Sequence, residues 1–188
     1  MTYISDHNFQ KNNFCSENLV MVEYENCLFD QCIFSDLDIR GASFENCTFK
    51  HCDLTSLKVP EVSFRGVNFD SCKMLGVHFH TANPFLLEFS FQNCKLDYCS
   101  FYNLKIKKTK FLACRLIEVD FTQADLSGSS FDKSDLSGVV FDRTNLMACD
   151  FRTATNFQLD PEINRIKNAK FDLDGLPGLL TKYGIKIG

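Results

Sequence analysis

Tryptophan is missing from the 188 residues, and proline occurs only four times. No stretch stays apolar for the length of a membrane span, so no membrane association is expected. Residues 1–13 are polar and lack the apolar core of a secretory signal, which makes the cytoplasm the expected compartment. There is no Ser/His/Asp set, no glycine-rich phosphate loop and no metal-binding motif. An enzyme is therefore not expected, and no cofactor or metal is called for. The ten cysteines contain no Cys-x-x-Cys pair and no Cys/His cluster at zinc-ligand spacing. Without export they should remain thiols.

Phenylalanine is in excess, with 20 copies against five tyrosines. Every fifth residue from Phe9 to Phe79 is apolar. After a slip of two residues the series resumes at Leu86 and runs to Phe151, alternating from Phe91 between Phe and Leu or Ile. A period of five is neither that of a helix nor that of an ordinary strand. Two residues before each centre the side chain is mostly small or apolar, as at Cys27, Cys47, Val62 and Ala124. Residues two apart in extended chain share a face. Each step therefore directs one large and one small side chain inward and then turns. Nine of the ten cysteines fall in the small slot and only Cys15 lies outside it, which reads them as small buried hydrophobes.

The register break spans residues 80–87. Asn83-Pro84 is a turn signal, and Pro84 cannot donate to a β ladder. It reads either as a two-residue bulge or as a loop that meets a partner through Asn83, Pro84 and Phe85. After Phe151 the pattern fades. Asp160 and Pro161 read as the N-cap and first position of a helical turn. A second short helix is expected over 177–183, stopped by Gly184, with a short strand at 185–187. Leu176, Leu179, Leu180, Tyr183, Ile185 and Ile187 are too many apolar groups for a free tail. They cap the open coil or pair with a second chain. The expected organisation is a solenoid over 1–155 and a cap and dimerisation segment over 156–188.

Charge is unevenly spread. Residues 118–150 hold seven acids (Glu118, Asp120, Asp125, Asp132, Asp135, Asp142, Asp150) against two bases. Residues 61–117 hold eight bases against four acids, with Lys105, Lys107, Lys108, Lys110 and Arg115 close together. The net charge of −4 argues against direct nucleic-acid binding through that basic run.

The steps Ala124–Gly128 and Ser134–Gly138 fit the A(D/N)LXX motif, and the chain resembles the pentapeptide-repeat family over about residues 9–155. The resemblance implies an all-β fold, a right-handed quadrilateral β-helix of four steps per coil with a short C-terminal helical cap. The order of features, through Asp160–Ile166 and the Leu-rich segment ending in Tyr183 and Gly184, resembles the microcin-immunity branch and, more loosely, the Qnr quinolone-resistance proteins. That branch implies a cytoplasmic homodimer that binds DNA gyrase, a type II topoisomerase, and protects it from a poison by partial imitation of duplex DNA. The acids implied to carry the contact are Asp120, Asp125, Asp132, Asp135, Asp142 and Asp150. A generic interaction scaffold with no topoisomerase link is the other reading.

Overall fold

The computed structural model describes residues 2–186. Each five-residue step is too short to close a sheet alone, so it pairs with the step one coil further on. The strands are β1 (Thr2–Ser5), β2 (Asn8–Gln10), β3 (Val22–Glu25), β4 (Leu28–Asp30), β5 (Ser43–Glu45), β6 (Thr48–Lys50), β7 (Ser63–Arg65), β8 (Val67–Asp70), β9 (Phe89–Gln92) and β10 (Phe111–Leu112). One side of the solenoid is the parallel sheet β1-β3-β5-β7, and the next is β10-β9-β8-β6-β4-β2. Pairs such as Phe9↔Phe29 and Phe44↔Phe64 are 20 residues apart, which is four steps of five per coil. The other two sides are held by single parallel bridges, including Ile33↔Asp53 and Asp38↔Lys58.

The interior is built from stacked rings. Phe9, Phe29, Phe49, Phe69, Phe91, Phe111, Phe131, Phe151 and Phe171 form one unbroken column, with neighbouring centroids 4.6–5.2 Å apart. In the N-terminal half a second column, Tyr24-Phe44-Phe64, lies on an adjacent side. In the C-terminal half the second column is Phe79-Phe101-Phe121-Phe141, on the opposite side. Phe14 and Phe34 stack at 4.6 Å on a third side of the first two coils, and aliphatic centres such as Leu54, Ile106 and Leu126 occupy the other inward positions.

The small slot does more than fit. Cys52, Cys149, Ser134 and Thr144 each donate from Sγ or Oγ to the backbone carbonyl of a centre in the preceding coil: Phe29 (3.2 Å), Leu126 (3.0 Å), Phe111 (3.1 Å) and Phe121 (2.9 Å). A thiol in this slot is thus a small apolar filler that also gives a buried carbonyl a donor. All nine slot cysteines are buried and free, and Cys15 is exposed. Burial pushes the Cys32 thiol up to about 11 and the Cys47 and Cys149 thiols up to about 12.

The register break is a bulge. Asn83 still pairs in the old register, its amide donating to the Val62 carbonyl at 2.9 Å. By β9 the register is Val67↔Phe89, a spacing of 22. Leu86, expected as an inward centre, is instead an exposed turn residue at φ 54°. Position 84 cannot serve as a centre because it is proline and faces outward. Phe89, in the slot otherwise kept for a small residue, fills the vacancy. Its ring lies 5.4 Å from Phe79 and 5.1 Å from Phe91. The second Phe column changes sides at this level.

The coils run past residue 155, where the fivefold sequence pattern fades. Arg165 bridges Asn145, Lys170 bridges Asp150, and the Phe171 ring stacks on Phe151. Asp160 caps its turn as expected, its Oδ1 accepting from the Glu162 amide at 2.8 Å. The following segment is 3-10 helix, over Leu173–Leu179 and Thr181–Tyr183, and Ile185 and Lys186 form no strand. Ile187 lies outside the described residues.

Candidate functional site: the charged exterior of the rod

With the interior filled by rings, any function rests on the outside. Asp120, Asp125, Asp135 and Asp150 each precede a centre, and bridges place them in four different ladders. These are Ser100-Asp120-Val140, Lys105-Asp125-Asn145, Arg115-Asp135-Thr155 and Ser130-Asp150-Lys170. They therefore lie on all four sides of the rod, over less than two coils. Asp132 and Asp142 sit beside them, one residue after a centre.

Asp120, Asp125, Asp135 and Asp150 are half-buried, and each also makes its turn. Oδ1 accepts the amide two residues on: Thr122 for Asp120 (2.9 Å), Ser127 for Asp125 (3.1 Å), Ser137 for Asp135 (3.1 Å) and Arg152 for Asp150 (3.2 Å). Asp residues are suited to such Asx turns. They differ in what the second oxygen meets. Asp125, Asp142 and Asp150 pair with Lys107 (3.3 Å), Arg143 (2.9 Å) and Arg152 (2.7 Å). Among the described residues Asp120, Asp132 and Asp135 have no cation at ion-pair distance. Partial burial opposes ionisation of Asp125 and Asp135. The Ser127 hydroxyl and amide with Lys107, and the Ser137 and Asn156 donors, outweigh it and hold both carboxyls below the usual range. The Arg152 guanidinium does the same for Asp150. The free negative charge of the belt is thus concentrated at Asp120, Asp132 and Asp135.

At the bulge, Asn83 Oδ1 accepts the Phe85 amide at 3.0 Å, which shapes the turn around Pro84. Phe85 and Leu86 are 63% and 62% exposed, and the Arg65 guanidinium lies 5.9 Å from the centre of the Phe85 ring. Sequence reasoning did not single out Arg65. The spacing of 20 between Arg65 and Phe85 was the available signal.

The tail folds back on its own chain. The Leu159 amide donates to the Gly178 carbonyl at 3.1 Å, and Gly175 and Gly178 lie against Phe157. A Cβ at Gly178 would stand 2.3 Å from the Phe157 carbonyl oxygen, so only glycine fits there. Lys182 pairs with Asp160 (2.6 Å) and Glu162 (2.7 Å), and the Tyr183 hydroxyl donates to Glu162 at 2.9 Å. Leu179 packs against the core and Leu180 is half-buried, while Leu176, Tyr183 and Ile185 remain exposed. No helix among the described residues is long and apolar enough to cross a membrane, and none of their His, Cys, Asp and Glu side chains cluster in threes fit to hold a metal ion.

The repeat has a family. A family model described as pentapeptide repeat region matches residues 22–97 and 42–118, and one described as pentapeptide repeats (8 copies) matches residues 114–152. The chain belongs to the pentapeptide-repeat family. Among solved structures it is similar to two trypsin-treated forms of QnrB1, a plasmid-mediated fluoroquinolone resistance protein. Both are 20% identical with a TM-score of 0.65 and match all of this chain and 100% or 99% of theirs. That likeness is one of fold. A comparison with curated protein sequences finds no match.

Proposed function

We propose that the protein is a non-enzymatic resistance or immunity factor that binds a type II topoisomerase, DNA gyrase, and protects it from a poison. The observation that carries this reading is the acidic belt on all four sides of the rod, in which Asp120, Asp132 and Asp135 have no cation at ion-pair distance among the described residues. Phosphates also surround a duplex, and they do so at one charge per about 1.7 Å. The belt is sparser, so imitation is local to residues 118–150. The resemblance to fluoroquinolone-resistance proteins supports gyrase as the partner. The exposed apolar groups Leu176, Tyr183 and Ile185, with half-buried Leu180, make a homodimer seam, and the compartment is the cytoplasm. Supercoiling by purified gyrase, with and without several poisons, tests the reading. Added protein should restore supercoiling in the presence of at least one poison. Lack of any protection, together with lack of gyrase capture, would leave a generic interaction scaffold.

A further inference from the structure

The groove beside the bulge has the opposite sign to the rod. It has a volume of about 830 Å³ and lies between the Leu86–Ser90 segment and the next coil. Gly66 forms part of its lining, where a Cβ would stand 2.9 Å from Asn46 Oδ1. Lys105, Lys107, Lys108 and Lys110 line one wall, and Arg65 lies across from them. The acids lining it are Glu45 and Glu88, so five bases face two acids. Lys107 is engaged by Asp125, and Arg65 reaches Glu45 at 3.8 Å. Among the described residues Lys105, Lys108 and Lys110 have no carboxylate at ion-pair distance, and Arg65 Nε is buried without an acceptor. Leu86 and Leu87 add an apolar lining, and Phe85, held by Arg65, stands exposed at the bulge.

From this juxtaposition we infer that the groove is a docking site for an extended acidic peptide segment carrying an apolar side chain. Carboxylates of the segment meet Lys105, Lys108 and Lys110, and its apolar side chain rests on Phe85 and Leu86. A nucleic-acid duplex would satisfy the lysines but keeps its bases stacked inside, away from Phe85 and Leu86. The acidic character of the rest of the rod, at a net charge of −4, opposes a long polyanion and admits a short one.

The test is fluorescence anisotropy of the full chain with a short fluorescein-labelled peptide in which Leu and Phe are set among Asp and Glu. Saturable binding that weakens as salt rises is expected, because exposed charges are screened over about 10 Å at 0.1 M. Lys105→Glu with Lys108→Glu should weaken binding by at least about tenfold, or about 1.4 kcal/mol. Lys105→Gln with Lys108→Gln, which adds no repulsion toward Asp125, should weaken it less. Phe85→Ser should weaken binding with the lysines intact. Equal loss in a charge-matched variant elsewhere, Lys133→Glu with Lys167→Glu, would overturn the proposal. So would no binding at all, undiminished binding of a peptide whose Leu and Phe are replaced by Ser, or displacement of the peptide by an equal charge of duplex oligonucleotide. None of these readouts involves gyrase, so their failure is separate from failure of the protection reading.

Discussion

Two triple substitutions separate the free charges of the belt from the paired ones. Asp120→Asn, Asp132→Asn and Asp135→Asn remove the three carboxylates without an ion-paired cation. Asp125→Asn, Asp142→Asn and Asp150→Asn change the net charge equally but remove carboxylates already met by Lys107, Arg143 and Arg152. Asn keeps the Oδ1 that accepts the amide two residues on, so the turns survive in both. The second triple loses three surface ion pairs, each worth up to about 1 kcal/mol. Melting should therefore fall by no more than about 6–12 °C, at about 2–4 °C per kcal/mol for a chain of this size, which leaves the protein folded in the assay. Two unit charges about 4 Å apart in water attract by about 1 kcal/mol, so three free ones are worth roughly 3 kcal/mol, or on the order of a hundredfold in affinity. Gyrase protection in the supercoiling assay should accordingly collapse for the first triple and persist for the second. If the first triple protects as well as wild type, or if both lose protection equally, the belt does not act through local imitation of phosphates.

Phe121→Ala should cost about 3–5 kcal/mol in urea unfolding, because the ring is fully buried between Phe101 and Phe141. A loss below about 1 kcal/mol would contradict its place in the column. Native-state thiol labelling should modify Cys15 first, and Cys149→Ser should be tolerated better than Cys149→Val because Ser keeps a donor for the Leu126 carbonyl. Labelling of all ten at one rate would refute the slot assignment. Gly178→Ala should free the tail from Phe157, seen as faster tail proteolysis and a changed sedimentation coefficient, with the coils intact. The lowered carboxyls of Asp125, Asp135 and Asp150 stabilise the fold above the unfolded carboxyl value of about 3.9, and that stability is lost as pH falls through their folded values. Thermal melts should therefore drop below about pH 4, and an unchanged melting temperature there would count against these turns.

Most of the tube was legible because period five assigns an inward or outward direction to every residue without reference to a partner. Arithmetic on four steps also placed Asp120, Asp125 and Asp135 on different sides. Leu86 misled because the series was continued by apolarity alone. The Phe89-Ser90-Phe91 pair, two rings two residues apart, was the signal that a centre had been skipped. The coils beyond 155 were hidden because Phe157, Leu159 and Asn164 hold the interior without fivefold spacing. Asn164 Nδ2 donates to the Phe141 carbonyl at 2.9 Å, the role that Cys, Ser and Thr play elsewhere. The ion partners of the aspartates were not legible either. Lys107 reaches Asp125 from the preceding coil, and side-chain reach between coils is not encoded in the period.

Turn chemistry and surface charge are coupled in this architecture. The residue before a centre points outward, and its side chain sits where the amide two residues on needs an acceptor. Asp meets that need on any side, so a solenoid with good turns becomes acidic whether or not anything binds it. An acidic count is therefore weak evidence of imitation of DNA, and the second carboxylate oxygen is the better measure. By that measure half of the six belt aspartates are neutralised locally. The bulge works the other way. Skipping a centre pushes Phe85 and Leu86 outward, and Asn83 caps the turn there without adding charge. The neighbouring positions of the following coil carry Lys105, Lys107, Lys108 and Lys110 instead. One rod thus presents two surfaces of opposite sign, and the two follow from different physical causes: the belt from the need to cap turns, the groove from the need to change register.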